Sequence, residues 1–224
     1  MRGKKYLAQK KSVDPKKVYT IEEAIAILKS GGRKFDETVE IHTKLGIDPT
    51  KGEQLIRLTF TMPIPFGKSK RLAAFVGEAD EAKAKTAGAD LVGGEELINE
   101  IAKTEKIDFD VAVATPSMMP KLAKIAKILG PKGLMPNPKT ETVGPDVAKM
   151  IGELKKGKHT FKNDDTGNLH VAIGKLGMAP ADLAGNIRAF LEVLARAKPQ
   201  TSKGIFLKNI FLTSTMGPSI KIIV

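Results

Sequence analysis

Apolar and polar positions along the chain alternate in two different grammars. Thr20 to Leu28 reads as a helix: Thr20 and Glu23 form a capping box, Ile21, Ala24, Ile25 and Leu28 make one apolar face, and Gly31-Gly32 stop it. From Phe35 the period changes to two. Val39, Ile41, Thr43 and Leu45 face one way, and Thr38, Glu40, His42 and Lys44 the other. After turn signals at Asp48-Pro49 and Gly52, Ile56, Leu58 and Phe60 alternate with Arg57, Thr59 and Thr61. This predicts a second half-buried strand, most simply a hairpin partner of the first.

Residues 62–68, MPIPFGK, break that pattern, and the grammar changes. Short apolar runs, Leu72 to Val76 and Phe109 to Ala114, alternate with helical stretches near Glu78 to Ala87 and Glu95 to Ala102. Pro116 opens a third helical stretch, with Leu122, Ile125, Ala126 and Leu129 on one face, and a last helix spans Asp146 to Leu154. Such alternation predicts βαβ units over a small, largely parallel sheet. After Gly157 the first grammar returns. Strands around Phe161 and Val171 flank the turn from Asn163 to Asn168. A long helix opens at Pro180 with Leu183, Ile187, Phe190, Leu191 and Leu194 as its core stripe. Two strands, near Ile205 to Thr213 and Ser219 to Val224, follow.

An α+β pattern interrupted by an α/β pattern fits a domain inserted into a host domain. Two consecutive domains meeting near residue 67, or one α/β sheet, fit the same pattern. Charge distinguishes the regions. The 224 residues carry 37 Lys and Arg against 25 Asp and Glu, a net of +12. Residues 67–156 account for only +2 of this, and the remainder for +10. The flanking sequence is therefore the better candidate for contact with a polyanion. The first 17 residues, with seven basic side chains against Asp14, read as a flexible or induced-fit arm.

Several chemistries are excluded or unsupported. There is no cysteine, so disulfides, thiol nucleophiles and Cys-based metal centres are out. Three scattered histidines argue against a His-rich metal site, and no paired catalytic carboxylates stand out. Gly67-Lys68-Ser69 resembles the end of a phosphate loop, but Met62 stands where that loop needs glycine. No segment reaches the ~18 apolar residues that span a bilayer, and the basic N-terminus lacks the apolar stretch of a secretory signal. Aromatic residues are 5% with no Trp, which disfavours recognition by multiple base stacking.

Three segments carry candidate binding chemistry. Residues 128–144, ILGPKGLMPNPKTETVG, form an extended loop with few regular hydrogen bonds, from which Lys132 and Lys139 project. Residues 213–219, TSTMGPS, offer hydroxyls to phosphate or a 2′-OH, a glycine for close backbone approach and an apolar contact at Met216. Residues 33–44 place Arg33, Lys34, Thr38, His42 and Lys44 at a strand start and on its polar face, with Phe35 just before it. Each also has an ordinary reading, as a surface loop, a hairpin turn and a solvated strand face.

Taken together, ILGPKGLMPNPKTETVG, KFDETVEIHTKLGIDP, VGGEEL, FKNDDTG, NIRAF and TSTMGPS resemble the bacterial L-one family of the large ribosomal subunit, over residues 18–223. The resemblance implies an α/β fold of two domains. One is a split α+β sandwich host, residues 1–66 plus 157–224, with residues 1–17 as its basic arm. The other is an inserted Rossmann-like three-layer α/β domain, residues 67–156. It further implies a non-enzymatic cytoplasmic protein without cofactor or metal, on the ribosome with other ribosomal components and a monomer off it. The host would bind large-subunit rRNA, forming a mobile stalk that assists release of deacylated exit-site tRNA. Repression of its own messenger RNA through a mimic of the rRNA site is also implied.

Carried onto this chain, the rRNA contacts fall on Lys34, Phe35, Glu37, Thr38 and Lys44, and on Thr215, Met216 and Gly217 with Thr213 and Ser219 beside them. His42 and Lys162 are added from face and charge. Lys132 and Lys139 are candidates for tRNA or secondary RNA contact. An enzyme acting on nucleotides and a chromatin-like DNA-binding protein remain the alternatives from the residues alone.

Overall fold

The computed structural model describes residues 3–31, 34–67 and 70–223. Arg33, Lys68, Ser69 and Val224 lie outside the described residues, as does the Lys139 side chain. In chain order the helices and strands are α1 (Lys4–Lys11), α2 (Ile21–Lys29), β1 (Thr38–Leu45), β2 (Arg57–Thr61), β3 (Leu72–Phe75) and α3 (Glu78–Ala87). Then come β4 (Leu91–Gly93), α4 (Glu95–Thr104), β5 (Val111–Ala114), α5 (Met119–Leu122), α6 (Ala126–Leu129) and α7 (Val147–Lys155). The chain finishes with β6 (Lys158–Lys162), β7 (Asn168–Lys175), α8 (Pro180–Arg196), β8 (Leu207–Ser214) and β9 (Ile220–Lys221). It divides into two compact units, Met1–Gly67 with His159–Val224, and Lys68–Lys158.

The split unit is built on a four-stranded sheet in the order β7-β1-β8-β9. β1 runs antiparallel to both β7 and β8, and its alternation is clean: Val39, Ile41, Thr43 and Leu45 are buried. That face packs against α2 and α8 in one apolar core. α2 carries the full Thr20–Glu23 capping box. α8 buries Leu183, Ile187, Phe190, Leu191 and Leu194, with Phe190 edge-on to Phe60 of β2 and Phe161 of β6. Asn186, fully buried on α8, takes Ile64 N–H and donates to the Ile64 and Ile173 carbonyls. A buried amide with its groups paired this way fixes the otherwise irregular Pro-rich segment. Phe66 stacks on His159, centroids 5.7 Å apart, close to where the chain leaves and re-enters this unit.

Three expectations fail here. β2 is no hairpin partner of β1; it pairs with β6, more than ninety residues later, in a separate two-stranded sheet. The Asn163 side chain accepts Ile56 N–H and the Ile56 carbonyl accepts Asn163 N–H, closing that pair. Local alternation specifies a half-buried strand but not its neighbour. The basic arm is no flexible tail over residues 4–11, where it forms α1. The last strand is short, with Ile222 instead bridging to Tyr19.

The central unit holds a parallel sheet in the order β4-β3-β5. Ala73, Phe75, Ala112 and Ala114 face α4 and the segment from Met118 to Leu129. Leu72, Ala74 and Val113 face α3 and α7. Both faces are covered, as the near-continuous apolar runs of these strands require. The three-residue β4 was not anticipated. The stretch from Pro116 is broken into short α and 3-10 turns, yet Leu122, Ile125 and Leu129 are still buried. Pro116 suits the start of the stretch, but Pro120, one turn later, lacks the N–H that a continuous helix would need there.

The 130–144 loop also departs from expectation, being densely hydrogen-bonded. The Asn137 carbonyl accepts from the Thr140 and Thr142 hydroxyls, and Thr142 Oγ1 accepts Asn137 N–H at 2.9 Å. The loop then pairs with β5 through a parallel bridge between Val143 and Ala114. Glu141, at φ 53°, reaches Lys158, whose Nζ also donates to Glu153 at 2.6 Å. Lys158 is only 8% exposed. Burial works to lower its pKa, but the two carboxylates outweigh that and hold it above the ordinary lysine value.

Candidate nucleic-acid interface

The first strand and the last turn meet. Antiparallel pairing sets Glu40 opposite Thr213 and Val39 opposite Ser214. The pairing continues past the strand ends: Thr215 N–H donates to the Thr38 carbonyl at 3.1 Å, and Thr215 Oγ1 accepts Thr38 N–H at 3.0 Å. Two segments some 180 residues apart in sequence therefore form one edge of the split unit.

Glu37 locks this edge from inside. It is 2% exposed, and its Oε2 accepts the Ser214 hydroxyl at 2.6 Å and Met216 N–H at 3.0 Å. Charge-assisted bonds of this kind hold a turn firmly. Glu37, expected at the contact surface, is buried, and its Oε2 is bonded to the turn. The sequence held the signal, because Glu37 shares the parity of Val39 and Ile41, the inward face. Ser214 likewise shares the parity of Ile210 and Leu212. Gly217 has a packing reason: a Cβ there would lie 2.4 Å from Ser214 Oγ and 3.5 Å from Leu28 Cδ2.

What the lock presents outward is apolar and basic. Phe35 and Met216 are each 54% exposed, and Lys34, Thr215 and Ser219 are exposed beside them. Thr38 Oγ1 accepts from Lys175 Nζ at 2.8 Å, and Asp36 accepts Gly177 N–H at 2.8 Å. Lys175 and Asp36 were missed by sequence reasoning; only the β1–β7 pairing reveals them.

Thr213, His42 and Lys44 continue along the outward face of the sheet. His42 and His170 sit directly opposite on β1 and β7, sharing a hydrogen bond between Nδ1 atoms at 2.7 Å. His42 Nε2 lies 3.2 Å from Thr213 Oγ1. Burial first, then neighbouring His170, holds the His42 pKa below the ordinary imidazole value against the pull of Glu40. Lys44 Nζ donates to the Thr166 carbonyl in the 163–168 turn. In that turn the Asp164 carboxylate accepts Asn168 N–H at 2.6 Å and the Thr166 hydroxyl at 2.9 Å. Partial burial opposes these bonds, which nonetheless hold its pKa well below the usual carboxylate range.

Lys162 is exposed on β6, in the separate two-stranded sheet, and is not part of this edge. Lys132 is exposed in the central unit's loop. Among the described residues no group of three or more His, Asp or Glu is arranged to hold a metal ion. No helix among them is long and apolar enough to cross a membrane.

The features define a class: a mixed α/β protein of two units, whose split unit carries a hydrogen-bonded edge as its candidate interface. Comparison with known proteins specifies it. Residues 27–218 match the Ribosomal protein L1p/L10e family, and the chain belongs to that family. It is 47% identical over 222 residues to the large ribosomal subunit protein uL1 of Thermus thermophilus, covering 98% of this chain and 96% of that one. The uL1 proteins of Deinococcus radiodurans and Persephonella marina are 48% and 45% identical, covering 97% and 99% of this chain and 94% and 93% of theirs.

Proposed function

We propose that this protein is a constituent of the large ribosomal subunit, in the cytoplasm, and binds large-subunit rRNA through the split unit. The supporting observation is the junction of residues 34–44 with residues 213–219, locked by Glu37. A preformed edge has already met the entropy cost of ordering its contacts. Thr215, Met216 and Gly217 provide a shape-specific contact with Phe35, and lysines supply salt-dependent attraction through counterion release. Glu37 acts by positioning the turn.

In this reading the split unit is an α+β sandwich host and Lys68–Lys158 an inserted Rossmann-like domain. The pair forms the mobile stalk that assists release of deacylated tRNA from the exit site, with Lys132 and Lys139 as candidate tRNA contacts. The same edge binds a mimic of the rRNA site on the protein's own messenger and represses its translation. The protein acts by binding, without catalysis or cofactor. It is a monomer off the ribosome and has other ribosomal components as neighbours on it.

A gel-shift titration against an rRNA stalk fragment and a scrambled RNA of equal length, at about 0.05 M and 0.2 M salt, tests the binding claim. Specific binding predicts that preference for the stalk fragment persists at higher salt while scrambled RNA is released. Equal loss of both, or equal competition by duplex DNA, would reduce the protein to a general polyanion binder.

A further inference from the structure

Helix α1 is an unusual helix to find formed. Its eight residues, KKYLAQKK, contain four lysines and no acidic side chain. Leu7 is 48% exposed, so no apolar stripe docks it. A helix this short and uniformly charged does not hold in isolation.

Gln9 is the buried residue of the helix. This residue is 7% exposed, and its Nε2 donates to the Ile27 and Leu28 carbonyls, each at 3.2 Å. These belong to the last turn of α2, where the Ile27 carbonyl also accepts the Ser30 hydroxyl and the Leu28 carbonyl also accepts Gly31 N–H. Gly31 leaves the space: a Cβ there would stand 2.5 Å from Gln9 Nε2. Ser12 Oγ donates back to the Gln9 carbonyl at 2.7 Å and closes the end of α1. Gln9 therefore caps α2 from a second helix.

This docking decides where the lysines go. At 100° per residue, Lys4 and Lys11 fall on the face opposite Gln9, about 10 Å apart along the axis, with Lys10 to one side. All three are exposed, and among the described residues none forms an ion pair. α1 and the candidate edge share one neighbour, the buried Leu28. Leu28, whose carbonyl receives Gln9, lies against Gly217 of the 213–219 turn.

We propose that Lys4, Lys10 and Lys11 form a fixed phosphate-binding ridge for the RNA duplex flanking the element gripped by the turn, with Gln9 as the residue that sets its position. This rests on the proposed RNA binding of the split unit. It differs from a loose basic arm in one respect: charge alone is insufficient, and the docked placement contributes to affinity.

The test uses the full chain and the rRNA stalk fragment extended by its flanking duplex, titrated across a range of salt concentrations. Lys4→Gln/Lys10→Gln/Lys11→Gln is expected to flatten the slope of log affinity against log salt by about 2 to 3, each phosphate contact being worth roughly 0.7–0.9. Gln9→Ala keeps every lysine and is expected to weaken binding about 5-fold or more, with the melting temperature within a few degrees of the parent. Gly31→Ala, which crowds Gln9 from the other side, gives the same weakening and stands in should Gln9→Ala unfold.

An unchanged salt slope in the triple variant would remove the ridge from the RNA contact. A flattened slope with Gln9→Ala and Gly31→Ala both at parental affinity would leave a flexible arm and overturn the positional claim. Binding to phosphatidylglycerol vesicles that the triple variant loses, with RNA binding intact, would reassign the ridge to a lipid surface. Failure of the parent chain to prefer the stalk fragment is a separate outcome, and it would sink the function reading itself.

Discussion

The split unit packs α2 and α8 on one face of its antiparallel sheet and turns Thr38, Glu40, His42 and Lys44 outward on the other. The central unit covers its parallel sheet on both faces. Each unit also buries one charged group that organises a loop. In the split unit it is an anion, Glu37, whose hydrogen bonds order the 213–219 turn. In the central unit it is a cation, Lys158, joined to Glu141 of the proline-rich loop and Glu153 of α7. On the proposed function, the difference assigns the contact chemistry to the split unit. Glu37 orders a turn that presents Met216 and Thr215 outward at a basic surface, whereas Lys158 ties its loop back onto α7 beside a sheet with no open face.

If that contrast is right, the two buried charges separate stability from RNA binding. Glu37→Ala is expected to have the largest effect. It strands the Ser214 hydroxyl and Met216 N–H and costs about 2–3 kcal/mol, with RNA affinity falling at least tenfold. Denaturant melts and gel shifts on the same samples check both. Glu37→Gln retains an acceptor and should recover part of each loss. Lys158→Met is expected to cost less, about 1–2 kcal/mol, because both carboxylate partners remain partly exposed to water. RNA affinity should stay within twofold. An equal affinity loss in this variant would erase the contrast between the units.

Gly217→Ala sharpens the comparison on a smaller scale. Its Cβ would displace Ser214 Oγ from Glu37, so affinity should fall about three- to tenfold for roughly 1 kcal/mol of stability. Parental RNA affinity in that variant would show that the turn tolerates displacement.

The smallest expected effect is in acid. The Asp164 pKa is depressed in the folded chain, so its contribution is present above the ordinary carboxylate pKa of about 3.9 and lost as pH falls toward the folded value. Asp164→Asn should make stability decline less steeply with acid below about pH 4, by well under 1 kcal/mol given its solvent exposure. Thermal melts from pH 5 to pH 2.5 read this directly. A slope identical to the parent would show that the turn does not draw on the charge.

The local elements were legible because their signals are local. The Thr20 capping box, the strict alternation of β1 and the core stripe of α8 each need only a dozen residues of context. Pairing was not legible in the same way. Nothing within residues 56–61 says that their partner lies at residues 158–162, because alternation marks faces and leaves neighbours open. The docking of α1 depends on one glutamine meeting carbonyls eighteen and nineteen residues away, and a run of lysines hides it. The proline-rich loop reads as poor in hydrogen bonds because its bonds follow no helix or strand period: the Thr140 and Thr142 hydroxyls fold back on Asn137, and backbone bonds such as Thr140 N–H to the Asn137 carbonyl close isolated turns. At the candidate edge the exposed members Lys34, Phe35, Thr215 and Met216 could be named from sequence. The inward direction of Glu37 was encoded in its parity with Val39, a signal easily overridden by its charge.

The central claim is that the edge where β1 meets the 213–219 turn, and not the central unit's loop, holds the RNA. Parallel titrations of the rRNA stalk fragment with Met216→Asp and with Lys132→Gln, at about 0.2 M salt, test it most directly. The account predicts at least a tenfold loss for Met216→Asp at an unchanged melting temperature and parental affinity for Lys132→Gln. Parental affinity for Met216→Asp, with the loss appearing in Lys132→Gln, would contradict it.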